Sequence, residues 1–203
     1  MDHKKLHSDH DLKHHDLLRN YSEHSYKIND QLVDQYVHGI ELSDKEHIET
    51  LDKLINVPAK YNITVYSGIK WNPEDYWDKL GVSVDHTITM HLPAYTSTST
   101  DINVAFKFSR FLTGISENRK IQFRSKSIQR EYEQDGDSNY LHVLKIEIPA
   151  GIKLGSLVSQ SKHKNEKEVV IQRGVGIIIH PKVQLILDED GNFVFLWNAE
   201  IIL

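Results

Sequence analysis

No cysteine occurs among the 203 residues. Its absence removes thiol nucleophiles, zinc–thiolate sites and a disulfide framework, and it fits a reducing cytoplasm. The ten glycines never fall into Gly-x-Gly-x-x-Gly, which disfavours a Rossmann-type dinucleotide site. No apolar run reaches the length of a membrane-spanning helix, and the opening Met-Asp-His-Lys-Lys-Leu-His has neither an apolar core nor a small-residue cleavage pattern. Positive charge is in deficit, with 24 Lys and Arg against 29 Asp and Glu and a net charge of −5. That balance argues against broad nucleic-acid binding driven by counterion release and favours a protein partner or a small ligand.

The rest of the composition, 39% hydrophobic and 26% charged, fits one soluble domain able to bury about 70% of its unfolded surface. Residues 1–60 contain glycine only at Gly39 and carry Leu17, Tyr21, Ile28, Leu32, Tyr36 and Ile40 at helical spacing, predicting two or three helices. Ser43-Asp44-Lys45-Glu46 has the form of a capping box, with the Ser43 hydroxyl serving the Glu46 amide; it opens a helix through Ile48, Leu51, Leu54 and Ile55 that Pro58 closes. From residue 62 the texture turns to strands, at 63–66, 86–91, 141–148, 168–171, 176–179, 183–188 and 193–202, with Asp188-Glu189-Asp190-Gly191-Asn192 as a hairpin turn between the last two. The pieces do not alternate strand, helix, strand, so the expected class is α+β. The expectation is a single domain over 1–203, helical over 1–60 and a β-rich core over 61–203. The initiating methionine and the terminal strand favour a complete gene product.

Asn165-Glu166-Lys167-Glu168-Val169-Val170-Ile171 places two carboxylates one residue apart at the head of an apolar run. In an extended strand they share a face about 6.6–7 Å apart. Such a pair raises each other's proton affinity, and it suits glycosyl-transfer chemistry, in which carboxylates steady a cationic sugar and handle a nucleophile's proton. Upstream, Ala94-Tyr95-Thr96-Ser97-Thr98-Ser99-Thr100 follows the β-rich stretch 84–93 and precedes a helix-like segment at 101–111. Thr64-Val65-Tyr66-Ser67-Gly68 and Leu144-Lys145-Ile146-Glu147-Ile148-Pro149-Ala150-Gly151 complete the set.

In this order the motifs resemble the arginine-specific mono-ADP-ribosyltransferases of the Arg–Ser-Thr-Ser–Glu-x-Glu class over residues 62–203, closest to the small enzymes of T-even-type bacteriophages. The resemblance implies a split β-sandwich core with N-terminal helices, NAD as substrate, no metal, and a bacterial protein acceptor with an exposed arginine in the host cytoplasm, a nucleic-acid acceptor being left open. It implies that Glu168 stabilises the oxocarbenium-like transition state, Ser97 holds Glu168, and Glu166 orients the acceptor guanidinium. It also implies that Tyr66, Ser67, Gly68, Ser99 and Lys70 border the dinucleotide, with Tyr95 or Phe106 as an aromatic wall. One departure stands out: the family's first motif has an arginine where this chain has Ser67, and a hydroxyl does not replace a bidentate guanidinium on phosphates. Lys70, Arg110 or Arg124 could supply the charge. The alternatives are an NAD glycohydrolase, or a non-catalytic binding module that keeps the fold.

Other features have plainer readings. His3, His7, His10 and His14 would align on one helix face and could chelate a metal, but a polar terminus is ordinarily solvated. The polar stretches 117–139 and 156–165 read as surface excursions, the first holding Arg119, Lys120, Arg124, Lys126 and Arg130. Trp71, Trp77 and Trp197 read as core or near-core aromatics, and His91 and His163 as surface or loop residues. Ser99 or Thr100 could simply cap the helix that follows.

Overall fold

The apolar spacing of the N-terminal part becomes two helices in a computed structural model that describes residues 15–69, 72–74, 86–113, 140–157, 165 and 167–202. Helix α1 (His15–His38) is kinked at His24, where φ −137° and ψ 31° leave the helical region, and α2 (Lys45–Leu54) lies against it. Leu18, Tyr21 and Leu32 of α1 pack on Ile48, Leu51, Leu54 and Ile55, each buried side chain of this size contributing about 1.5–3 kcal/mol. Tyr36 and Ile40, placed inward by their spacing, are instead exposed, because no α1 residue beyond Leu32 has a core to face.

The expected Ser43 capping box is replaced by a longer-range device. Helix α2 carries no side-chain cap at its N-terminus. Gln31 of α1 supplies one acceptor, Oε1, to the Ser43 and Asp44 amides at 3.1 Å each and to the Ser43 hydroxyl at 2.8 Å, while its amide nitrogen, Nε2, donates to Asp44 Oδ2 at 2.6 Å. A local motif cannot reveal a cap that comes from another helix.

Nine strands follow among the described residues: β1 (Val57–Pro58), β2 (Ile63–Ile69), β3 (Ile88–Leu92), β4 (Thr96–Ser99), β5 (Tyr140–Ile148), β6 (Lys153–Ser156), β7 (Glu168–Ile171), β8 (Val175–Leu187) and β9 (Phe193–Ile202). Their order is β1-β6-β7-β4-β2-β5-β9-β8-β3. Only β5 and β9 run parallel; the other neighbours are antiparallel. Between β2 and β4 the register has one pair, Tyr66 opposite Ser99, so the sheet divides there into two leaves. Val169 and Ile171 from one leaf share a core with Val65, Ile146, Ile177, Phe195 and Trp197 from the other. This is the expected α+β architecture with two β leaves closed on a common core.

The runs 176–179 and 183–188 form one strand, β8, whose pairing to β9 shifts register between Ile179 and Val183. Pro181, which has no N–H for the ladder, sits within that shift. Helix α3 (Ile102–Thr113) covers β2 and β5 through Ala105 and Phe106. It approaches so closely that a Cβ on Gly68 would stand 2.4 Å from both the Ala105 carbonyl oxygen and the Ser109 amide nitrogen. Arg110, near the end of α3, pairs with Asp188 and Asp190 of the β8–β9 turn. It is therefore committed to that hairpin rather than to a ligand. Among the described residues no helix is long and apolar enough to cross a membrane.

Candidate active site

The β4–β7 ladder decides the geometry. Ser99 lies directly opposite Glu168, Thr98 opposite Val169 and Ser97 opposite Val170. Directly opposed residues in an antiparallel pair share a face, so Ser99 and Glu168 are neighbours and Ser97 is one strand step further along that face. The partner expected for Glu168 was Ser97; the direct cross-strand position belongs to Ser99. Thr98 points the other way, its hydroxyl donating to the Val169 carbonyl at 2.6 Å. Glu168 is 9% exposed and Ser99 3%, so the carboxylate faces little bulk water.

Strand β7 begins at Glu168, and Lys167 holds φ at 48°, the only non-glycine residue with positive φ among the described residues. Lys167 is thus not extended, and the expected placing of Glu166 beside Glu168 lies outside the described residues. Lys167 Nζ reaches Asp101 Oδ2 at 3.0 Å, in front of α3. The Asp101 carboxyl is held below its ordinary range, chiefly by that hydrogen bond. Asp101 also accepts the Asn103 amide at 3.1 Å, and its own amide donates to Ser99 Oγ at 3.0 Å. So Ser99 serves the helix start, as its capping reading held, while standing beside Glu168. Glu166, Lys70, Trp71, Trp77, Arg124, His163, the four N-terminal histidines and the polar stretch 117–139 lie outside the described residues.

A cavity of about 580 Å³ opens on this face. Tyr66, Ser67, Gly68, Tyr95, Ser97, Ser99 and Glu168, all named from the sequence, line it. Phe106 does not: it is buried in the cluster of Leu141, Val143, Val194 and Leu196, and Phe108, two residues on and 39% exposed, lines the cavity instead. The Ser67 hydroxyl donates to the Ser97 carbonyl at 3.2 Å, closing the gap where β2 and β4 barely pair. Gly68 has to be glycine because of α3, whatever a ligand requires of it.

The sequence reading missed the contribution of α1, whose Ser25, Tyr26, Asn29 and Val33 form another wall. Asn29 Nδ2 donates to the Tyr95 carbonyl at 3.1 Å, leaving Oδ1 buried without a partner. The Tyr21 hydroxyl, also buried and without a hydrogen bond of ordinary geometry, lies near Asn29 and Ser97 and within the field of Glu168. Burial, reinforced by that carboxylate, pushes its pKa up. Only the Tyr21–Asn29 spacing of eight, interrupted by the His24 kink, carried any signal, and it looked like ordinary helix packing.

Tyr95 lines the cavity but is tied elsewhere. Its hydroxyl lies 2.8 Å from Asp52 Oδ1 and 3.0 Å from the Ile48 carbonyl oxygen, and its ring meets Tyr21 edge-on at 5.6 Å. Burial and the Asp52 carboxylate raise its pKa. Arg173, just past β7, grips the same Asp52 through Nε at 3.0 Å and Nη2 at 2.7 Å. Asp52 of α2 thus joins the residue before β4 to the second residue past β7.

The buried Asn29 Oδ1, an acceptor without a hydrogen-bond partner on a wall of the cavity that also holds Ser97 and Glu168, fits a ligand rich in hydroxyl and amide groups, such as the nicotinamide riboside end of a dinucleotide. The described lining residues include no cation, so they offer a diphosphate no charged partner.

No protein-family model matches the sequence, and no curated protein sequence matches it. Solved structures do resemble it. Plx2a, an ADP-ribosyltransferase toxin from Paenibacillus larvae, is 16% identical with a TM-score of 0.63, over 100% of this chain and 92% of that one. The ADP-ribosyltransferase Vis, solved in complex with agmatine, is 20% identical with a TM-score of 0.58, over 97% and 77%. C3stau2 from S. aureus, solved with NAD, is 16% identical with a TM-score of 0.58, over 98% and 90%. The chain has the fold of the ADP-ribosyltransferase toxins.

Proposed function

We propose that the protein is a mono-ADP-ribosyltransferase that moves ADP-ribose from NAD to an arginine of a target protein and releases nicotinamide. The observation that carries this reading is the β4–β7 register, which sets Ser97, Ser99 and a nearly buried Glu168 on one wall of the cavity beside Tyr66, Ser67 and Gly68. The toxin fold supports it, as do the NAD and agmatine bound in two structures of similar fold.

In this reading the bond between the nicotinamide nitrogen and the ribose anomeric carbon breaks, and its electron pair leaves with nicotinamide. Positive charge grows on the ribose. Glu168, held in a little-hydrated wall, stabilises that charge more strongly than water would. Asn29 offers a hydrogen bond to the ribose or carboxamide, and Tyr26 and Phe108 border the ring. The acceptor guanidine nitrogen then bonds to the anomeric carbon and gives up its proton, for which Glu166 is the proposed carboxylate. Lys70, next along from Ile69 of the cavity wall, is proposed for the diphosphate in place of the arginine absent at Ser67. The proposed setting is a bacterial cytoplasm, with a host protein as acceptor. A second reading, a binding module without turnover, is favoured by the missing cation.

The test is labelled NAD with agmatine or bacterial lysate proteins, comparing wild type with Glu168→Ala. Labelled agmatine and protein together with free nicotinamide, all lost in the variant, support transfer. Nicotinamide without labelled acceptor means a glycohydrolase, and NAD binding without either product means the module.

A further inference from the structure

Five large apolar side chains stand exposed on α1 and just past its end: Tyr26 at 58%, Val33 at 41%, Tyr36 at 61%, Val37 at 59% and Ile40 at 53%. At 100° per residue, Tyr26, Val33, Tyr36 and Val37 fall within one arc of about 100°. They form a stripe, whereas scattered exposed apolar residues would need no explanation. Tyr26 and Val33 also line the cavity, so the stripe begins at its mouth and runs away along the helix. Tyr36 stacks on His91 of β3 at 4.9 Å, and β3 is the last strand of the sheet order. The ledge therefore ends on the strand that closes the sheet order among the described residues.

We propose that this ledge docks the acceptor protein, a folded protein whose target arginine is bordered by an apolar patch and further basic side chains. The proposal rests on the transferase reading above. Two features of the surface select that occupant. The ledge is continuous with the cavity where an acceptor side chain would have to enter. The exposed charges along it are mainly acidic, Asp30, Asp34 and Glu41 against Lys27, which complements an arginine-bearing, basic surface. A free guanidine such as agmatine needs only the cavity; a protein needs the ledge as well. Burial of a few aliphatic and aromatic groups beside the site would lower KM for the protein acceptor and leave small-acceptor chemistry alone.

The experiment labels agmatine and, separately, bacterial lysate proteins with labelled NAD, using wild type, Val37→Asp/Ile40→Asp and the apolar control Val37→Leu/Ile40→Met. Neither position lines the cavity. The expected result is agmatine labelling within about twofold of wild type for both variants, and protein labelling reduced at least about tenfold in the aspartate variant alone. Unchanged protein labelling overturns the proposal, as does an equal fall in agmatine labelling. Wild type that labels agmatine but no protein overturns it too. So does sedimentation showing a wild-type dimer that the aspartates split, which would assign the ledge to a second copy. If wild type labels neither acceptor, the transferase reading itself has failed, a result separable from all of these.

Discussion

Glu168 is the residue on which the proposed chemistry rests, and its environment sets what a substitution does. Glu168→Gln keeps the shape and removes the charge from a wall that is 9% exposed. Nicotinamide release and acceptor labelling should both fall at least about 100-fold, with the thermal midpoint unchanged or raised, since a buried charge has been removed. Activity that survives the change would move the site elsewhere. Gly68 answers to a different constraint. Gly68→Ala puts a methyl group 2.4 Å from two backbone atoms of α3, so the helix must shift, at a cost of about 1–3 kcal/mol. Because Gly68, Val104 and Ala105 all line the cavity, activity should fall further than stability does. Lys167→Gly tests the bend in the Glu-x-Glu motif: glycine accepts φ 48° freely, so loss of the Asp101 pair should leave stability within about 1 kcal/mol. Lys167→Val, β-branched and disfavoured at that angle, should lower both stability and activity.

Strands β4 and β7 hold the proposed catalytic groups, and α2 holds both strands through Asp52. Asp52→Ala strands the Arg173 guanidinium, while the Tyr95 hydroxyl keeps the Ile48 carbonyl as its acceptor. Each partly buried group that loses its partner costs about 1–3 kcal/mol, so a drop in stability of that order is expected, accompanied by a fall in kcat. Tyr95→Phe removes one hydroxyl and leaves the Asp52–Arg173 pair intact, and should cost about 1 kcal/mol with little effect on kcat. Equal effects of the two changes would show that the tie merely holds α2 in place. The same scale explains where the sequence reading succeeded and failed. The strands at 168–171 and 193–202 were legible to the residue, because continuous apolar runs bounded by charge or turn residues identify themselves. Strand β6 was not, since Lys153, Leu154, Gly155 and Ser156 carry no alternation and pair only because β1 and β7 flank them. The Ser43 cap failed because its acceptor, Gln31, comes from another helix.

The two β leaves close over one core, and the folded chain responds to pH as a unit through it. His142 is buried against Phe195 and accepts the Trp197 Nε1–H at Nδ1, 3.2 Å away. Burial lowers its pKa from 6.5 to about 4. Between those values the unfolded chain binds a proton that the folded protein refuses. Stability is therefore complete above about pH 6.5 and declines as pH falls toward 4, by up to about 3 kcal/mol. Denaturant unfolding followed from pH 7.5 to 4 should show that slope, and His142→Gln should flatten it. The Asp188 carboxyl, which burial alone would raise, is held low by Arg110 and Asn192. Its contribution is present above its ordinary pKa and is lost only as pH falls through the lowered value, so the histidine dominates the upper part of the window.

The sequence alone determined the class of fold, many of its helices and strands, and part of the cavity wall. Those follow from periodicity and from short motifs whose residues sit close together in the chain. It named Glu168, Ser97, Ser99, Tyr66, Ser67, Gly68 and Tyr95, and the cavity contains them all. What only the tertiary structure decided are relations between distant segments: that Ser99 is the direct neighbour of Glu168, that Phe108 takes the wall position expected of Phe106, that Asn29 lines the cavity from α1, and that Tyr36 faces outward. Each depends on the register of a strand pair, the phase of a kinked helix or the end of a packing partner, and none of these is set within a few residues of the side chain it controls.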